Sequence, residues 1–252
     1  MDNIKETTNS KPTSEKNLEV SITIPTYNER DGIEDQISCI FKSLDKAGIK
    51  GEVVIVDDNS PDRTWEFCEQ LKSKYNLMVI RRPGKLGLAS AVIDGFKASN
   101  GDIKGVMDAD GSHDAAILPD MIRAIQAGEC DLAIGSRYIP GGGTKDWPWT
   151  RIFISKFAIM LGRPLTSVRD ITSGFCLFKK EVTEGIKLDP IGWKIVLEII
   201  IKGNHKKWKE FPYMFRDREK GESKIGKGAV IDYLKHLIKL WKYMGENDIK
   251  RV

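Results

Sequence analysis

Five short apolar segments alternate with four helix-length amphipathic stretches between residues 20 and 136, and this alternation constrains the fold more than any other feature. The apolar segments are nearly continuous runs of branched residues, as expected of strands buried on both faces. Strand–helix alternation of this kind is typical of a largely parallel sheet with helices on both faces, an α/β fold. The predicted strands are 20–25, 52–57, 77–81, 103–108 and 131–136, with helices at 31–47, 62–74, 87–99 and 115–127.

The second half of the chain departs from this alternation. A Gly-rich loop at 140–143 leads to Trp147-Pro148-Trp149 and an apolar segment at 152–161. Beyond it we predict a strand at 174–178, a helix at 192–203, a strand at 208–213, a basic loop at 216–227 and a last helix at 229–244. We find no internal repeat, and we expect a single domain over 19–252 and a disordered Ser/Thr/Asn/Lys-rich tail at 1–18.

Charge and cysteine content exclude several classes of protein. The chain has 40 Lys and Arg against 36 Asp and Glu, a surplus too small for a dedicated nucleic-acid binder. Its four cysteines form no C-x-x-C pair, so we expect reduced thiols rather than a zinc site or disulfides. The apolar stretch 191–201 contains Lys194 and Glu198 and is too short to span a bilayer, and the polar N-terminus does not resemble a signal peptide.

Polar residues follow the carboxyl ends of four predicted strands, at 25–29, 57–60, 108–110 and 136–138. In parallel sheets ligands bind beyond these ends, so we expect the four loops to form one site. Asp108 and Asp110 are two residues apart, and in extended backbone both carboxylates would face one spot. A hard divalent ion that also takes phosphate oxygens would relieve their repulsion; the alternative is a polar turn in which Asp114 caps the next helix.

A second acidic pair, Asp57-Asp58, precedes Asn59-Ser60-Pro61-Asp62 at the start of a predicted helix. At least one of the two carboxylates is expected to cap this helix. The other would accept hydrogen bonds from the base or ribose of a ligand. Spacing alone does not say which is which.

Six motifs resemble, in the same order, those of the dolichol-phosphate mannose synthases, which are inverting GT-A glycosyltransferases of family 2. The resemblance covers roughly residues 20–240 and implies a GT-A nucleotide-sugar-binding fold. P-T-Y-N-E is shared widely in family 2, whereas G-S-R-Y, the segment 170–178 and G-E-S-K are more specific. The motifs are VSITIPTYNE (20–29), VIVDDNSPD (54–62), KLGLASA (85–91), Met107–Asp110 with Ser112-His113, GSRY (135–138) and GESK (221–224).

The resemblance implies a role for each matching residue. Guanosine of a GDP-mannose donor would contact Pro25, Tyr27, Glu29, Val56 and Asp58. Ribose, diphosphate and a Mg or Mn ion would be held by Asp108, Ala109 and Asp110, with Ser112 near the metal. Phosphates would contact Arg137, Arg218 and Lys224, and the acceptor phosphate would also contact Arg151 and Ser155. Asp108, Asp110 and Arg137 would be catalytic; two departures from the family pattern are Gly111, where Leu is usual, and Asp114, where His or Pro is usual.

The activity implied is transfer of mannose from GDP-mannose to dolichyl or another polyprenyl phosphate, with inversion to dolichyl β-D-mannosyl phosphate. A phosphate monoester has a second pKa of about 6 and is largely dianionic at pH 7, so it needs no general base. One alternative is a UDP-glucose-dependent transferase with the same acceptor, and another is a catalytically silent membrane-docking subunit. A nicotinamide-binding Rossmann protein is disfavoured because the first strand does not lead into a Gly-rich turn.

Two segments are unusually apolar for a protein surface. In 229–244 the residues Asp232, Lys235, Lys239 and Lys242 form one polar stripe, and 152–161 is apolar around most of a helix. Lys and Trp at the margin of a wide apolar face are typical of a helix in a membrane interface; the alternative is that both helices pack on the domain. We therefore expect a peripheral enzyme on the cytoplasmic face of a membrane, acting alone or with a small transmembrane subunit as some relatives do. His113, His205 and His236 are expected to be structural or surface residues.

Overall fold

The computed structural model describes residues 18–145, 147–217, 228–249 and 251–252. Short 3₁₀ turns lie at Ala115–Ile117 and Lys180–Thr183. The strands of these segments are β1 (Val20–Thr26), β2 (Gly51–Asp57), β3 (Leu77–Arg81), β4 (Ile103–Val106), β5 (Leu132–Ser136), β6 (Gly143–Thr144), β7 (Cys176–Lys179), β8 (Trp208–Pro212) and β9 (Met214–Phe215). The helices are α1 (Ile33–Ala47), α2 (Thr64–Leu71), α3 (Leu88–Ala98), α4 (Leu118–Gln126), α5 (Trp149–Gly162), α6 (Ile195–Lys202) and α7 (Ala229–Glu246).

A seven-stranded sheet in the order β3-β2-β1-β4-β7-β5-β8 forms the centre of the fold. Strands β3, β2, β1 and β4 are mutually parallel, and β5 is parallel to β8. Strand β7 runs antiparallel to both of its neighbours, with Cys176 opposite Val106 at the carboxyl end of β4. The predicted largely parallel α/β sheet is therefore confirmed, with one reversed strand in it. Because β7 starts at this edge, the residues that precede it reach the same edge as the carboxyl ends of the parallel strands.

The two faces of the sheet bury separate sets of side chains, as alternation along a strand requires. Val53 and Ile55 of β2 join a core with α1, α2 and α4. Val54 and Val56 point the other way and pack on Ala91 of α3. On that second face a larger cluster unites residues of α3, α6 and α7 with Leu132 and Ile134 of β5. Helices thus cover both faces, as the continuous apolar strands predicted.

The predicted strand at 103–108 is too long, because β4 ends at Val106. Asp108 and Asp110 therefore lie in the following loop, and the argument from extended backbone was wrong for them. In this loop Gly111 has φ of 76°, a left-handed conformation that favours glycine. The departure to Gly111 suits this turn because of that backbone conformation and not for lack of space, since an added Cβ would meet nothing within 4 Å. The predicted strand at 174–178 likewise begins later, at Cys176.

Helices α5 and α7 carry the apolar segments noted in the sequence, and they contact each other through a hydrogen bond of 2.7 Å from the Tyr233 hydroxyl to the Ala158 carbonyl. Each helix is only partly buried. The buried residues of α7 are Tyr233, His236, Leu237, Leu240 and Met244, and those of α5 are Ile159 and Gly162. An exposed apolar surface remains, which we call the α5–α7 surface: Trp149, Phe153, Ile154, Phe157, Met160, Val230, Ile231, Leu234, Ile238 and Trp241.

No helix in the described part of the chain has both the length and the apolar character needed to cross a bilayer. The four cysteines are free thiols, and three of them are buried. The tail predicted at 1–18 lies, apart from Leu18, outside the described residues.

Candidate active site

The predicted site lies at the carboxyl edge of the sheet, where neighbouring strands end side by side. Thr26 at the end of β1 is paired with Asp57 at the end of β2. The loops that follow are joined to each other: the Asn28 backbone N–H donates to the Ser60 hydroxyl at 3.0 Å, and the Glu29 N–H donates to the Thr64 hydroxyl at 3.1 Å. The segments at 25–29 and 57–60 thus form one rigid wall of the site.

The two carboxylates of Asp57 and Asp58 have different environments. Asp57 is fully buried and accepts hydrogen bonds from the Thr26 hydroxyl and from the N–H and hydroxyl of Ser60, so it holds the turn. Asp58 is held between the Arg82 guanidinium, at 2.8 Å, and the Gly87 N–H, also at 2.8 Å. A carboxylate oxygen accepts more than one hydrogen bond, so Asp58 keeps capacity for a ligand. The structure therefore distinguishes a turn-forming carboxylate from a candidate binding one.

Other predicted donor-binding residues line the same edge in different ways. The Tyr27 ring has the Lys85 ammonium 4.0 Å from its centroid. Val56 is fully buried inside β2 and Ala109 is 5% exposed, so these two predicted donor contacts have almost no accessible surface. A cavity of about 760 Å³ lies beside Asp110 and Ser112 and runs along α1, and its walls include Glu29. This volume is within the range of small-molecule sites.

The loop with Asp108 and Asp110 is fixed by His113. The Asp108 backbone N–H donates to His113 Nδ1 at 3.0 Å, and His113 Nε2 lies 3.6 Å from Asp108 Oδ2. Burial lowers the pKa of His113, which favours the neutral ring with its proton on Nε2, facing that carboxylate. His113 also stacks on Phe175, with ring centroids 5.2 Å apart. It is therefore a structural residue, as expected, although its role is to orient a candidate metal ligand.

The donor set at this loop fits a divalent cation that is shared with a phosphate ligand. The Asp108 carboxylate is 37% exposed, and Asp110 accepts the Ser112 N–H at 3.1 Å. The Ser112 hydroxyl is buried and has no hydrogen-bond partner among the described residues, so it could take a metal-bound water. Within the described residues, no group of three or more His, Cys, Asp or Glu side chains forms a complete metal cage. Mg²⁺ is commonly coordinated by one or two carboxylates, with its remaining coordination positions taken by phosphate oxygens and water, and this loop offers two carboxylates. Asp114 caps the following turn through the Ala116 N–H.

Arg137, just after β5, is held by a carboxylate that sequence reasoning missed. Its Nε and Nη2 atoms donate to the two oxygens of Asp170 at 2.7 Å each, and Nη2 also donates to the Thr172 hydroxyl at 2.8 Å. Burial opposes both charges, but their mutual attraction outweighs it, so the pKa of Asp170 is lowered and that of Arg137 is raised. The guanidinium is thus permanently charged and fixed in place. Only the specificity of the segment 170–178 could have suggested Asp170.

Arg151 and Ser155, both on α5, lie close to the loop that carries Arg137. The Tyr138 hydroxyl donates to the Ser155 hydroxyl at 2.8 Å. Arg151 forms an ion pair with Asp217 and lies 3.9 Å from the centroid of the Trp147 ring. Arg137 lies 5.4 Å from the same ring, so the structure brings the two predicted phosphate-binding arginines together. Arg218 and Lys224 lie outside the described residues, as does the motif at 221–224.

The Phe215 ring connects these arginines to the loop with the aspartates. It lies 5.5 Å from the Arg137 guanidinium carbon, 5.8 Å from that of Arg151 and 6.1 Å from the His113 ring. A candidate metal site and a cluster of cations therefore share one edge of an α/β sheet. This arrangement suits the binding of two phosphate-bearing ligands.

Solved structures of similar fold are nucleotide-sugar transferases. The chain aligns over 90% of its length with a mannosyltransferase from Pyrobaculum calidifontis in complex with GDP-Man and Mn²⁺, at a TM-score of 0.61 and 19% identity, covering 64% of that chain. It aligns with glucosyl-3-phosphoglycerate synthase from Mycobacterium tuberculosis, in complex with Mn²⁺, UDP-Glc and phosphoglyceric acid, at a TM-score of 0.65 and 17% identity over 90% of this chain and 79% of that one. At these identities the likeness shows the fold, which is GT-A.

The class of the protein follows from its family: the chain is a glycosyltransferase. The model of the family "Glycosyl transferase family 2" matches residues 21–186, and the chain belongs to that family.

The resemblance to dolichol-phosphate mannose synthases is confirmed by curated relatives that carry the name dolichol-phosphate mannosyltransferase. One from Pyrococcus furiosus is 49% identical over 92% of this chain, which spans 66% of that protein's length. One from Saccharomyces cerevisiae is 33% identical over 92% of this chain and 91% of its own length.

Proposed function

We propose that the chain transfers mannose from GDP-mannose to the phosphate of dolichyl or a similar polyprenyl phosphate, forming the β-mannosyl phosphate. The observation that carries this proposal is the Phe215 contact set, which brings Arg137 and Arg151 beside the aspartate loop. The names of the relatives and the GDP-Man ligand of the Pyrobaculum enzyme support the choice of donor and acceptor. The donor would contact Pro25, Tyr27, Glu29, Asp58 and Ala109, whereas the predicted contact with Val56 is disfavoured by its complete burial.

The chemistry requires that two anions meet at one sugar carbon. An oxygen of the acceptor phosphate attacks C1 of mannose from the face opposite the diphosphate, and the bond from C1 to the diphosphate oxygen breaks as GDP leaves with the electron pair. Arg137 and Arg151 would offset the repulsion between the two phosphate groups. Because the acceptor oxygen is already ionised at pH 7, no side chain has to remove a proton from it.

A divalent cation, Mg²⁺ or Mn²⁺, would be held by Asp108 and Asp110, with Ser112 near it. When bound, it would neutralise the charge that develops on the departing diphosphate. Rigid positioning by His113 and by the Asp110–Ser112 turn would keep the two carboxylates aimed at this ion. Asp58, fixed by Arg82, would accept hydrogen bonds from the guanosine.

The direct test is an assay with labelled GDP-mannose, dolichyl phosphate and Mn²⁺, in which we expect an acid-labile mannolipid. Labelled UDP-glucose with the same acceptor is the control for the closest alternative donor, and dolichol without phosphate is the control for the acceptor. A glucolipid in place of the mannolipid would contradict the proposed donor. Absence of any glycolipid from a folded chain that binds neither nucleotide would favour the docking-subunit alternative.

Donor preference should also appear in thermal stability. A ligand that binds only the folded state raises Tm by mass action, and 100 Kd of free ligand stabilises by about 2.7 kcal/mol. We therefore expect GDP-mannose with Mn²⁺ to raise Tm by several degrees and UDP-glucose with Mn²⁺ to raise it less. Differential scanning fluorimetry measures both. An equal or larger shift with UDP-glucose would contradict the proposed donor.

The α5–α7 surface is proposed to lie in a membrane interface, where the phosphate of a polyprenyl acceptor is found. Its exposed residues include Phe153 at 66%, Ile238 at 67% and Trp241 at 68%. Exposed apolar area on this scale marks an interaction site, and Trp at the margin is typical of the lipid–water boundary. Ser155 and Arg151 on α5 connect this surface to the cation cluster. A peripheral position on the cytoplasmic face, with or without a small transmembrane subunit, is part of this proposal.

Liposome co-sedimentation should report the role of this surface. The variant Ile238→Glu/Trp241→Glu is expected to lose most of its binding to vesicles that contain anionic lipid, about tenfold or more, because two exposed apolar side chains that would enter the lipid are exchanged for charged ones. Substitution at exposed positions avoids removing α7, whose Leu240 and Tyr233 belong to the core. The matched control is Gln70→Glu/Ser73→Glu, which adds the same two negative charges at exposed positions at the end of α2, a helix that packs on the opposite face of the sheet from α7 and should leave vesicle binding largely unchanged. Unchanged binding by the first variant would contradict the membrane assignment.

A further inference from the structure

Lys194 is a buried cation beside the proposed acceptor site, and nothing in the sequence patterns assigned it a role. It precedes α6 and is only 8% exposed. Its Nζ donates to the backbone carbonyl of Thr172 at 2.8 Å and lies 3.6 Å from the centroid of the Trp193 ring. The sequence shows only a charge that interrupts an apolar stretch.

Among the described residues, the charge of Lys194 is not balanced by a carboxylate partner. Arg137 pairs with Asp170, Arg151 pairs with Asp217, and the equally buried Lys202 pairs with Glu198 and Asp189. No carboxylate oxygen of the described segments lies within ion-pair distance of Lys194 Nζ. A buried charge without a partner is costly, and the Trp193 ring offers only partial compensation. Burial, and after it the charge of Arg137, lowers the pKa of Lys194 to about 7, and the carboxylates of Asp170 and Asp108, which lie beyond ion-pair distance, offset this only in part. An anionic ligand would supply the missing charge.

The position of Lys194 indicates which ligand this is. The Thr172 carbonyl accepts a hydrogen bond from the Lys194 ammonium, and the Thr172 hydroxyl accepts one from Arg137 Nη2. The two cations therefore contact the same residue. On the other side, a Cβ added to Gly192 would lie 3.3 Å from Asp232 in the first turn of α7. Trp193 between them is 37% exposed. Lys194 thus lies beside the cation cluster, on a segment that also reaches the first turn of α7, one of the two helices proposed to lie in the membrane interface.

We propose that the Lys194 ammonium donates a hydrogen bond to a phosphate oxygen of the polyprenyl phosphate acceptor and holds it beside Arg137. This inference rests on the proposed function for the identity of the acceptor. The ammonium has three hydrogens, one of which is used by the Thr172 carbonyl, so two remain to be donated. The interaction would bind and position the acceptor rather than the donor, because the predicted guanosine contacts lie at the ends of β1 and β2 and on the loops that follow them.

Titration calorimetry with farnesyl phosphate, in the presence of GDP and Mn²⁺, tests this assignment, with farnesol as the probe that lacks the phosphate. Lys194→Met keeps the length and packing of the side chain and is expected to weaken farnesyl phosphate binding about 10- to 100-fold. GDP-mannose affinity should stay within about twofold. Lys194→Arg, which keeps the charge, should recover part of the lost affinity.

The matched control is Lys104→Met. Lys104 is also partly buried and donates to a backbone carbonyl, that of Phe96, but it lies on β4, away from the carboxyl edge. This variant should bind farnesyl phosphate like the unmodified chain.

The results separate this inference from the proposed function. Unchanged farnesyl phosphate affinity in folded Lys194→Met, or no binding of farnesyl phosphate by the unmodified chain, would overturn the role of Lys194. A loss of affinity for farnesyl phosphate, with none for farnesol, would support it. A third result is possible: the unmodified chain transfers no mannose to dolichyl phosphate, and Lys194→Met still binds farnesyl phosphate more weakly than the unmodified chain does. In that case the role of Lys194 would stand and the proposed reaction would fail.

Discussion

Replacing Asp108 or Asp110 by Asn is expected to lower the rate of mannosyl transfer by about a thousandfold, the largest effect that we expect from any single substitution. Each change removes one of the two carboxylates proposed to hold the divalent ion. Without that ion, its positive charge is no longer available to stabilise the departing diphosphate. Folding should be little affected, since the Asp108 side chain is 37% exposed. Steady-state rates with GDP-mannose and dolichyl phosphate, at several Mn²⁺ concentrations, measure the effect.

Metal and nucleotide affinity should fall together with the rate in these two variants. The matched control is Asp114→Asn, which removes one negative charge from the same loop but keeps an oxygen to cap the Ala116 N–H, and it should retain most of its activity.

The absence of a general base is tested by the same measurements. A carboxylate whose loss abolished turnover while metal, donor and acceptor binding stayed intact would refute that part of the proposal.

Replacing Asp170 by Asn should destabilise the fold by about 3–5 kcal/mol, because the buried Arg137 charge would lose its partner. Asp170 is fully buried and its carboxylate accepts from the Arg137 backbone N–H as well as from the guanidinium. Urea unfolding at pH 7 measures the change. The exposed pair Arg151–Asp217 provides the contrast, since Asp217→Asn should cost at most about 1 kcal/mol.

The double variant Arg137→Met/Asp170→Leu tests the physical reason for this loss. Removing both charges should destabilise less than the sum of the two single changes, since no buried charge is left without a partner. Additive effects would show that the two residues are not coupled.

The pH dependence of this stabilisation follows from the lowered pKa of Asp170 in the folded state. Its contribution is present above the unfolded carboxyl pKa of about 4 and is lost only as the pH falls through the lower folded value. The difference between the unmodified chain and Asp170→Asn should therefore stay constant from pH 7 to about pH 5 and narrow in stronger acid.

The sequence was most informative where local pattern and burial coincide. The first five strands were predicted to within two residues, because each is a short apolar run that must be covered on both faces. The four polar loops were predicted for the same reason, since a parallel sheet places them at one edge. The phosphate-binding role of Arg137 came from the resemblance, whereas Asp108 and Asp110 were proposed as metal ligands from their spacing before the resemblance was considered.

The contacts that complete the site could not be predicted because they join residues distant in sequence. Asp170 lies 33 positions from Arg137, and Lys194 reaches Thr172 across 22. The sequence pattern also could not distinguish the roles of Asp57 and Asp58, because these roles depend on their hydrogen-bond partners, Ser60 for Asp57 and Arg82 for Asp58. Helix α7 could be predicted only in part. Its periodicity gives the width of its apolar face, but it does not say which apolar residues pack in the core and which stay exposed.

The reversed direction of β7 would allow the two proposed substrate pockets to change independently. The proposed nucleotide contacts lie at or after the ends of β1, β2 and β4, on segments that leave the sheet, whereas Asp170 and Thr172, which hold Arg137, lie on a segment that enters it. Insertions or exchanges at 163–175 could therefore retune the choice of lipid while the nucleotide wall is inherited unchanged. Chimeras that keep one sugar donor but accept different lipids could be built by grafting residues 163–175 together with α5.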